Sequence, residues 1–158
     1  MGMITVTTVM DNEQIYRQYS KALTRYATGL VGPFDAPDVV TDACLKAFET
    51  RGWDQIANRR AYLYRTVLNV AHDHHRQTLS RRLREIKAAG AEATQAVEVD
   101  VDVLMAVERL SVRQRAAVFL TYWEDLSPNE VAERMGVTPG AVKRHLARGR
   151  KRLAELLS

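Results

Sequence analysis

Three helix-start signals crowd into 29 residues near the end of the chain: Ser111 with Gln114, Ser127 with Glu130, and Thr138 followed by Pro139. In the first two, a hydroxyl accepts from an amide three residues on, and the side chain found there bonds back to the cap amide. In the third, proline stands at the first helical position, where its missing N–H costs nothing. These starts predict helices over 112–123, 128–135 and 139–157, preceded by one near 102–109. Ala132, Gly136 and Val142 fall where two successive helices are most constrained. Ala132 allows close approach, Gly136 can take the left-handed conformation that ends the first helix, and Val142 points inward. The spacing is that of a helix-turn-helix. An ordinary helical hairpin shares it, so geometry alone leaves DNA binding open.

The rest of the chain reads the same way. Ile15, Tyr19, Ala22, Tyr26 and Leu30 recur every three or four residues and mark a helix from about Asp11 to Leu30, ended by Gly29, Gly32 and Pro33. Asp35 is expected to cap a second helix, with Val39, Val40, Ala43, Ala47 and Phe48 as its apolar stripe and Gly52 closing it. Asn58 is expected to cap a long third helix through Leu63, Val67, Leu68 and Ala71 that continues to about Arg82. Residues 88–101 have neither a broad apolar stripe nor strong caps, and read as a linker. The expected fold is all-α: a helical domain over 1–87, an acidic linker over 88–101, and a helix-turn-helix domain over 102–158.

Composition removes several classes. With 158 residues there is room for one domain or two small ones. No apolar run is long enough for a bilayer, and the start lacks the pattern of a secretory signal, so the expectation is a cytoplasmic protein without membrane insertion. One cysteine, Cys44, allows no internal disulfide and no cysteine-rich zinc site; it lies on the apolar side of its helix. His72 and His75 stand three apart beside Asp73 and His74, but His145 is the only distant histidine, so no metal is expected. There is no nucleophile elbow and no phosphate-binding glycine loop, so neither an enzyme nor a cofactor is expected.

Charge is unevenly placed. Residues 76–87 carry Arg76, Arg81, Arg82, Arg84 and Lys87 against Glu85, a local net of +4. Residues 88–103 carry four acids and no base, and six bases crowd between Lys143 and Arg152 with no acid among them. On the last helix Lys143, Arg144, Ala147, Arg148 and Lys151 share an outward face opposite Val142, Leu146 and Leu153. A helix fits the major groove, where arginine or lysine donates to guanine edges and neighbouring cations hold phosphates. That face turns the hairpin toward DNA binding.

At these residues a family resemblance emerges. The stretch LSVRQRAAVFLTYWEDLSPNEVAERMGVTPGAVKRHLARGRKRLAELL resembles the fourth region of bacterial sigma factors, which reads the minus-35 promoter element. DAPDVVTDACLKAF is similar to their second region, and AYLYRTVLNVAHDHHR to the helix that ends in N-x-x-x-D-x-x-R, here Asn69, Asp73 and Arg76. The chain has no room for the additional domains of primary sigma factors, and so resembles the short extracytoplasmic-function group.

The resemblance implies partners and roles. Core RNA polymerase would be bound through Asp38, Val39, Asp42 and Lys46 of the second helix. Promoter DNA would be read and melted at the minus-10 element by Arg59, Arg60, Tyr64, Arg65, Asn69 and Arg76, with Tyr62 the aromatic expected to be core. Unstacked bases need stacking or polar surfaces, and the strand needs cations. Lys143, Arg144 and Arg148 would face bases or phosphates of the minus-35 element, flanked by Ala147 and Lys151, while Arg150, Lys151 and Arg152 would hold phosphates or simply solubilise the helix. Many such proteins also have an anti-sigma partner. Ala141, Arg144 and Gly149 depart from the usual Thr, Ser and Ala of the fourth region, so the preferred hexamer cannot be carried over, and Thr41 departs from the usual Gln of the second, so neither can the detail of that interface. About fifteen linker residues could span roughly 50 Å, enough to hold two readers on separated sites. The alternatives are a stand-alone helix-turn-helix regulator and a helical interaction module without DNA binding.

Overall fold

The computed structural model describes residues 2–89 and 109–157, and all its regular elements are helical. Most of the expected linker and the helix expected near 102–109 lie outside the described residues. Helix α1 spans Gly2–Val31, α2 Ala36–Phe48 and α3 Arg59–Ala89, with a short 3-10 turn at Trp53–Gln55. Helix α4 spans Val112–Val118 and passes into a wider π-type turn at Phe119–Trp123, where the Glu124 amide donates to the Phe119 carbonyl at 3.1 Å. Helices α5 (Pro128–Met135) and α6 (Pro139–Leu157) follow.

The local signals work as their chemistry requires. Both capping boxes are complete. Ser111 Oγ accepts from the Gln114 amide at 3.0 Å and Gln114 returns the bond at 3.1 Å; the Ser127 and Glu130 pair does the same at 3.2 and 3.0 Å. Asn58 caps α3 through the Ala61 amide, and Thr138 caps α6 through the Ala141 amide. Gly136 ends α5 at φ 73°, the left-handed conformation expected of it.

Two expectations need correction. Asp35 sits at the start of α2 in helical conformation with no side-chain capping bond; Pro37 fills the first turn instead, and the Asp35 carboxylate lies 3.2 Å from His74 Nε2 of α3. A cap must be extended for its side chain to reach back over the first amides. Gly29 does not end α1, which turns at Gly32 (φ 91°) two residues after Leu30. The bare surface of Gly29 meets Phe119 instead.

Helices α1, α2 and α3 pack on one another around Leu23, Tyr26, Val40, Leu63 and Val67. Cys44 is 2% exposed among them, and burial pushes its thiol up to about 11. The C-terminal helices close over Ala116, Leu120, Val131, Val142 and Leu146. These two groups are not separate cores: the apolar cluster runs continuously from one to the other, with α3 packed on α5 and α1 on α4.

Candidate nucleic-acid and polymerase interface

Helix α6 presents the outward face that its sequence spells out. Lys143, Arg144, Ala147, Arg148 and Lys151 are all exposed, while Val142, Leu146 and Gly149 are buried against the rest of the domain. At 100° per residue the five outward positions cover about 140° of the helix, a strip one groove can accommodate. His145 lies at the edge of this strip. Partial burial, followed by the charges of Arg113, Arg148 and Arg144, lowers its pKa, so it is neutral at neutral pH. The positive charge of the face therefore belongs to Lys143, Arg144, Arg148 and Lys151. Arg150 turns aside, its guanidinium 5.9 Å from the centre of the Tyr122 ring.

On α3 the expected residues divide. Arg65, Asn69 and Arg76 are exposed and fall within about 40° of one another around the helix. Arg76, Asp73, Ser80, Arg81 and Arg84 line an open groove of about 530 Å³ beside them. Arg59 is half-buried at the mouth of the 3-10 turn, 5.3 Å from the Trp53 ring centre, with Nη2 donating to the Asp54 carbonyl at 3.0 Å. Arg60 is exposed but lies on the opposite side of α3 from Tyr62, near Glu130 of α5, whose carboxyl is held low chiefly by its hydrogen bonds with Ser127 and only in small part by the Arg60 charge. It does not share the stripe of Asn69 and Arg76.

Tyr64 must be withdrawn from the DNA-facing set. It is 2% exposed, its ring centre 4.9 Å from that of Tyr26, with the Arg134 guanidinium also 4.9 Å from its centre. Desolvation raises its pKa, as for any phenol cut off from water. Tyr62 is the more open of the two: half-buried, ring 6.0 Å from Trp53, hydroxyl 3.2 Å from Thr50 Oγ1. Two residues apart on a helix means about 200° of rotation, so the two rings lie on different sides of α3: Tyr62 packs against the core in part, as expected of it, and Tyr64 is buried outright.

Helix α2 shows a third division. Asp38, Asp42 and Lys46 are exposed, with Asp42 and Lys46 paired at 3.5 Å, whereas Val39 is 3% exposed and belongs to the core. Val39 falls one residue off the outward face, at the floor of a groove that Asp38, Asp42 and Lys46 also line. What the sequence reading missed is Leu45, 56% exposed in line with Asp38, Thr41 and Asp42. The spacing of three, four and seven from Asp38 carries that signal, but an isolated leucine in an apolar helix reads as core.

Among the described residues no group of three potential metal ligands converges. His74 turns toward Asp35, and His72 stands 3.8 Å from its neighbour Asp73. No helix of the described residues is long and apolar enough to cross a membrane.

The described residues thus join a three-helix module, with Arg65, Asn69 and Arg76 on one exposed face of α3, to a helix-turn-helix with an open basic face on α6. Comparison with known proteins narrows the class. The model of Sigma-70 region 2 matches residues 15–82, and that of Sigma-70 region 4 matches residues 100–153. An RNA polymerase sigma-E factor of Streptomyces antibioticus is 34% identical, the alignment covering 94% of this chain and 86% of that protein. The ECF RNA polymerase sigma factor SigM of Mycobacterium tuberculosis is 33% identical over 92% of this chain and 76% of its own length. Among solved structures, the sigma factor RpoE of Bartonella quintana, in complex with the anti-sigma factor NepR, superposes with a TM-score of 0.61 at 26% identity, covering 93% of this chain and 96% of that one. The chain belongs to the bacterial sigma-70 family, in its extracytoplasmic-function group. It binds core RNA polymerase and directs promoter-specific initiation of transcription.

Proposed function

We propose the following division of labour along the chain. Helix α2 docks on core polymerase through Asp38, Thr41, Asp42, Leu45 and Lys46, an acidic surface with one apolar anchor at its centre. The α3 stripe of Arg65, Asn69 and Arg76, with Arg59 and Tyr62 at its entrance, receives the unstacked minus-10 strand. The exposed face of α6 enters the major groove at the minus-35 element, where Arg148 and Arg144 supply base-edge donors and Lys143 and Lys151 hold phosphates. The role is binding and strand separation in the cytoplasm, with no chemical step of its own. An anti-sigma partner is carried over from relatives such as the Bartonella quintana protein, which was solved with one.

The observation that carries this reading is the alignment of Arg65, Asn69 and Arg76 on one exposed face of α3, in a chain whose α6 presents a second open cationic face. A stand-alone regulator needs only the second. The test is co-purification with core RNA polymerase, followed by sequencing of the transcripts that the reconstituted enzyme initiates. Retention at moderate salt and a shared upstream motif are expected; no retention would overturn the proposal. Asn69→Ala should leave polymerase binding intact and reduce permanganate reactivity of the melted strand, and parental reactivity would remove Asn69 from the melting site.

A further inference from the structure

Helix α1 supplies mostly core side chains, such as Leu23, Tyr26, Ala27 and Leu30, and one polar residue on it breaks that pattern. Asn12 Oδ1 accepts from the Trp53 indole N–H at 2.8 Å, across 41 residues of sequence. Trp53 is 3% exposed and opens the 3-10 turn between α2 and α3, directly after Gly52 at φ 84°.

All three helices of the N-terminal module meet on that indole. Phe48, the last residue of α2, lies 5.4 Å from it between ring centres, and Tyr62 of α3 lies 6.0 Å away. The Arg59 guanidinium stands 5.3 Å from its centre. The turn holds Arg59 a second time, since Nη2 donates to the Asp54 carbonyl at 3.0 Å and lies 3.9 Å from the Asp54 carboxylate. The Tyr62 hydroxyl donates to Thr50 Oγ1 at 3.2 Å, and Thr50 donates to the Lys46 carbonyl of α2 at 2.9 Å.

These contacts differ in what they fix. Ring packing and cation–π attraction set where the indole lies but depend weakly on its rotation within its own plane. A hydrogen bond weakens steeply once its angle falls below about 120°. The indole has a single N–H, so its bond to Asn12 is what sets the angle of the ring. Asn12 is only half-buried, and water can take its place as acceptor. Removing its amide therefore frees the ring without emptying the core.

Arg59 and Tyr62 both rest on the indole, so a turned ring carries them with it. Unstacked bases need a stacking surface, and the strand needs a cation. Such a constellation works only when its side chains are held to within about 0.5 Å. We propose that Asn12 is a positioning residue for capture of the minus-10 strand: by fixing the rotation of Trp53 it fixes the Arg59 guanidinium and the Tyr62 ring at the strand's entrance, while itself touching neither DNA nor polymerase. The proposal rests on the minus-10 role given above to Arg59 and Tyr62.

The test uses the full chain. Asn12→Ala removes the acceptor, and Asn12→Asp keeps an acceptor oxygen at the same reach. Both should unfold within about 4 °C of the parent, as expected for one hydrogen bond in a chain of this size. The chain has two tryptophans, so in a Trp123→Phe background time-resolved fluorescence anisotropy reports Trp53 alone. The ring should be freer in Asn12→Ala and parental in Asn12→Asp. Affinity for core polymerase, and for a duplex carrying only the minus-35 element, should be equal in all. The probe for capture is a single strand carrying the minus-10 sequence found by transcript sequencing. It is titrated into the polymerase complex at about 0.15 M salt, which screens an added charge beyond about 8 Å. Its affinity should fall several-fold in Asn12→Ala and stay near parental in Asn12→Asp. In a Trp53→Phe background, which lacks the N–H, Asn12→Ala should have no further effect on strand affinity.

Parental strand affinity in Asn12→Ala, or an equal loss in Asn12→Asp, would overturn the proposal. So would a loss that persists undiminished in the Trp53→Phe background. Arg59→Ala and Tyr62→Ala serve as markers of the reading beneath it. If both capture the strand as the parent does, the minus-10 role of that entrance fails and the positioning role with it, while the anisotropy still decides whether Asn12 fixes the indole.

Discussion

Replacing Gly136 by alanine tests the turn on which the helix-turn-helix depends. Two separate costs follow from the structure. The residue sits at φ 73°, where an L side chain is held close to its own carbonyl, costing about 1 to 2 kcal/mol. The added Cβ would also lie 3.1 and 3.2 Å from Cδ and Cγ of Arg65, closer than an ordinary contact. Because those atoms belong to a flexible stem, a shift of a few tenths of an ångström relieves most of this, so the backbone cost dominates. The expected loss is about 1–2 kcal/mol, or a fall in melting temperature of roughly 2–8 °C for a chain of this size. Urea unfolding followed by circular dichroism measures it. Gly136→Asn should lose less than Gly136→Ala, because asparagine tolerates the left-handed region. In a double-mutant cycle with Arg65→Ala, only the steric part should disappear. Parental stability for Gly136→Ala would refute the backbone argument, and a cycle that abolishes the whole loss would make the Arg65 collision its cause.

Glu130 is held below its ordinary value of 4.5, chiefly by the hydrogen bond from the Ser127 backbone. A depressed carboxyl stabilises the fold above its unfolded pKa and loses that stabilisation as pH falls through the folded one; Glu130→Gln should therefore flatten the decline in stability below about pH 4.5, as read from urea midpoints across pH. Arg148→Ala should weaken minus-35 binding by about 1–3 kcal/mol and relax the preference at one base pair; a uniform loss across sequences would make it a phosphate contact instead. Leu45→Ala should lower affinity for core polymerase with no change in melting temperature, measured by fluorescence titration, since more than half of its surface faces solvent. Gly149→Ala should stabilise the protein by about 0.5–1 kcal/mol, because the new Cβ would meet Val118 Cγ2 and Gln114 Cβ at ordinary distances of 3.4 and 3.7 Å; thermal unfolding checks it.

What the sequence disclosed follows the range of each interaction. The caps at Ser111, Ser127, Asn58 and Thr138 are bonds between residues three apart, and the pattern that encodes them contains both partners. The outward face of α6 was legible for the same reason: helical period alone sorts Lys143 and Arg148 from Val142 and Leu146. Asp35 was misread because its partner, His74, arrives from another helix. Tyr64 was misplaced because an aromatic in a helix does not state which side the neighbouring helices will cover; Tyr26 and Arg134 settle that from outside α3. Val39 was given two incompatible tasks, as part of the apolar stripe and as a polymerase contact, and burial assigns the first. The docking of the two halves was not legible at all. Phe119 has the spacing of a local core residue, Gly29 looks like a helix stop, and Arg115 looks like one more surface cation until the Leu30 carbonyl appears beside it.

The single cysteine has a practical consequence. Cys44 is enclosed between helices and its thiol is pushed up to about 11, so at neutral pH it presents almost no thiolate to an alkylating reagent. The natural chain should therefore react only slowly with maleimides. Any cysteine placed on its surface becomes a unique attachment point without mutation of the interior, and a pair of them, one on the α6 face and one on α2, would carry a donor and an acceptor dye. The protein can then be watched one molecule at a time as it meets polymerase and DNA.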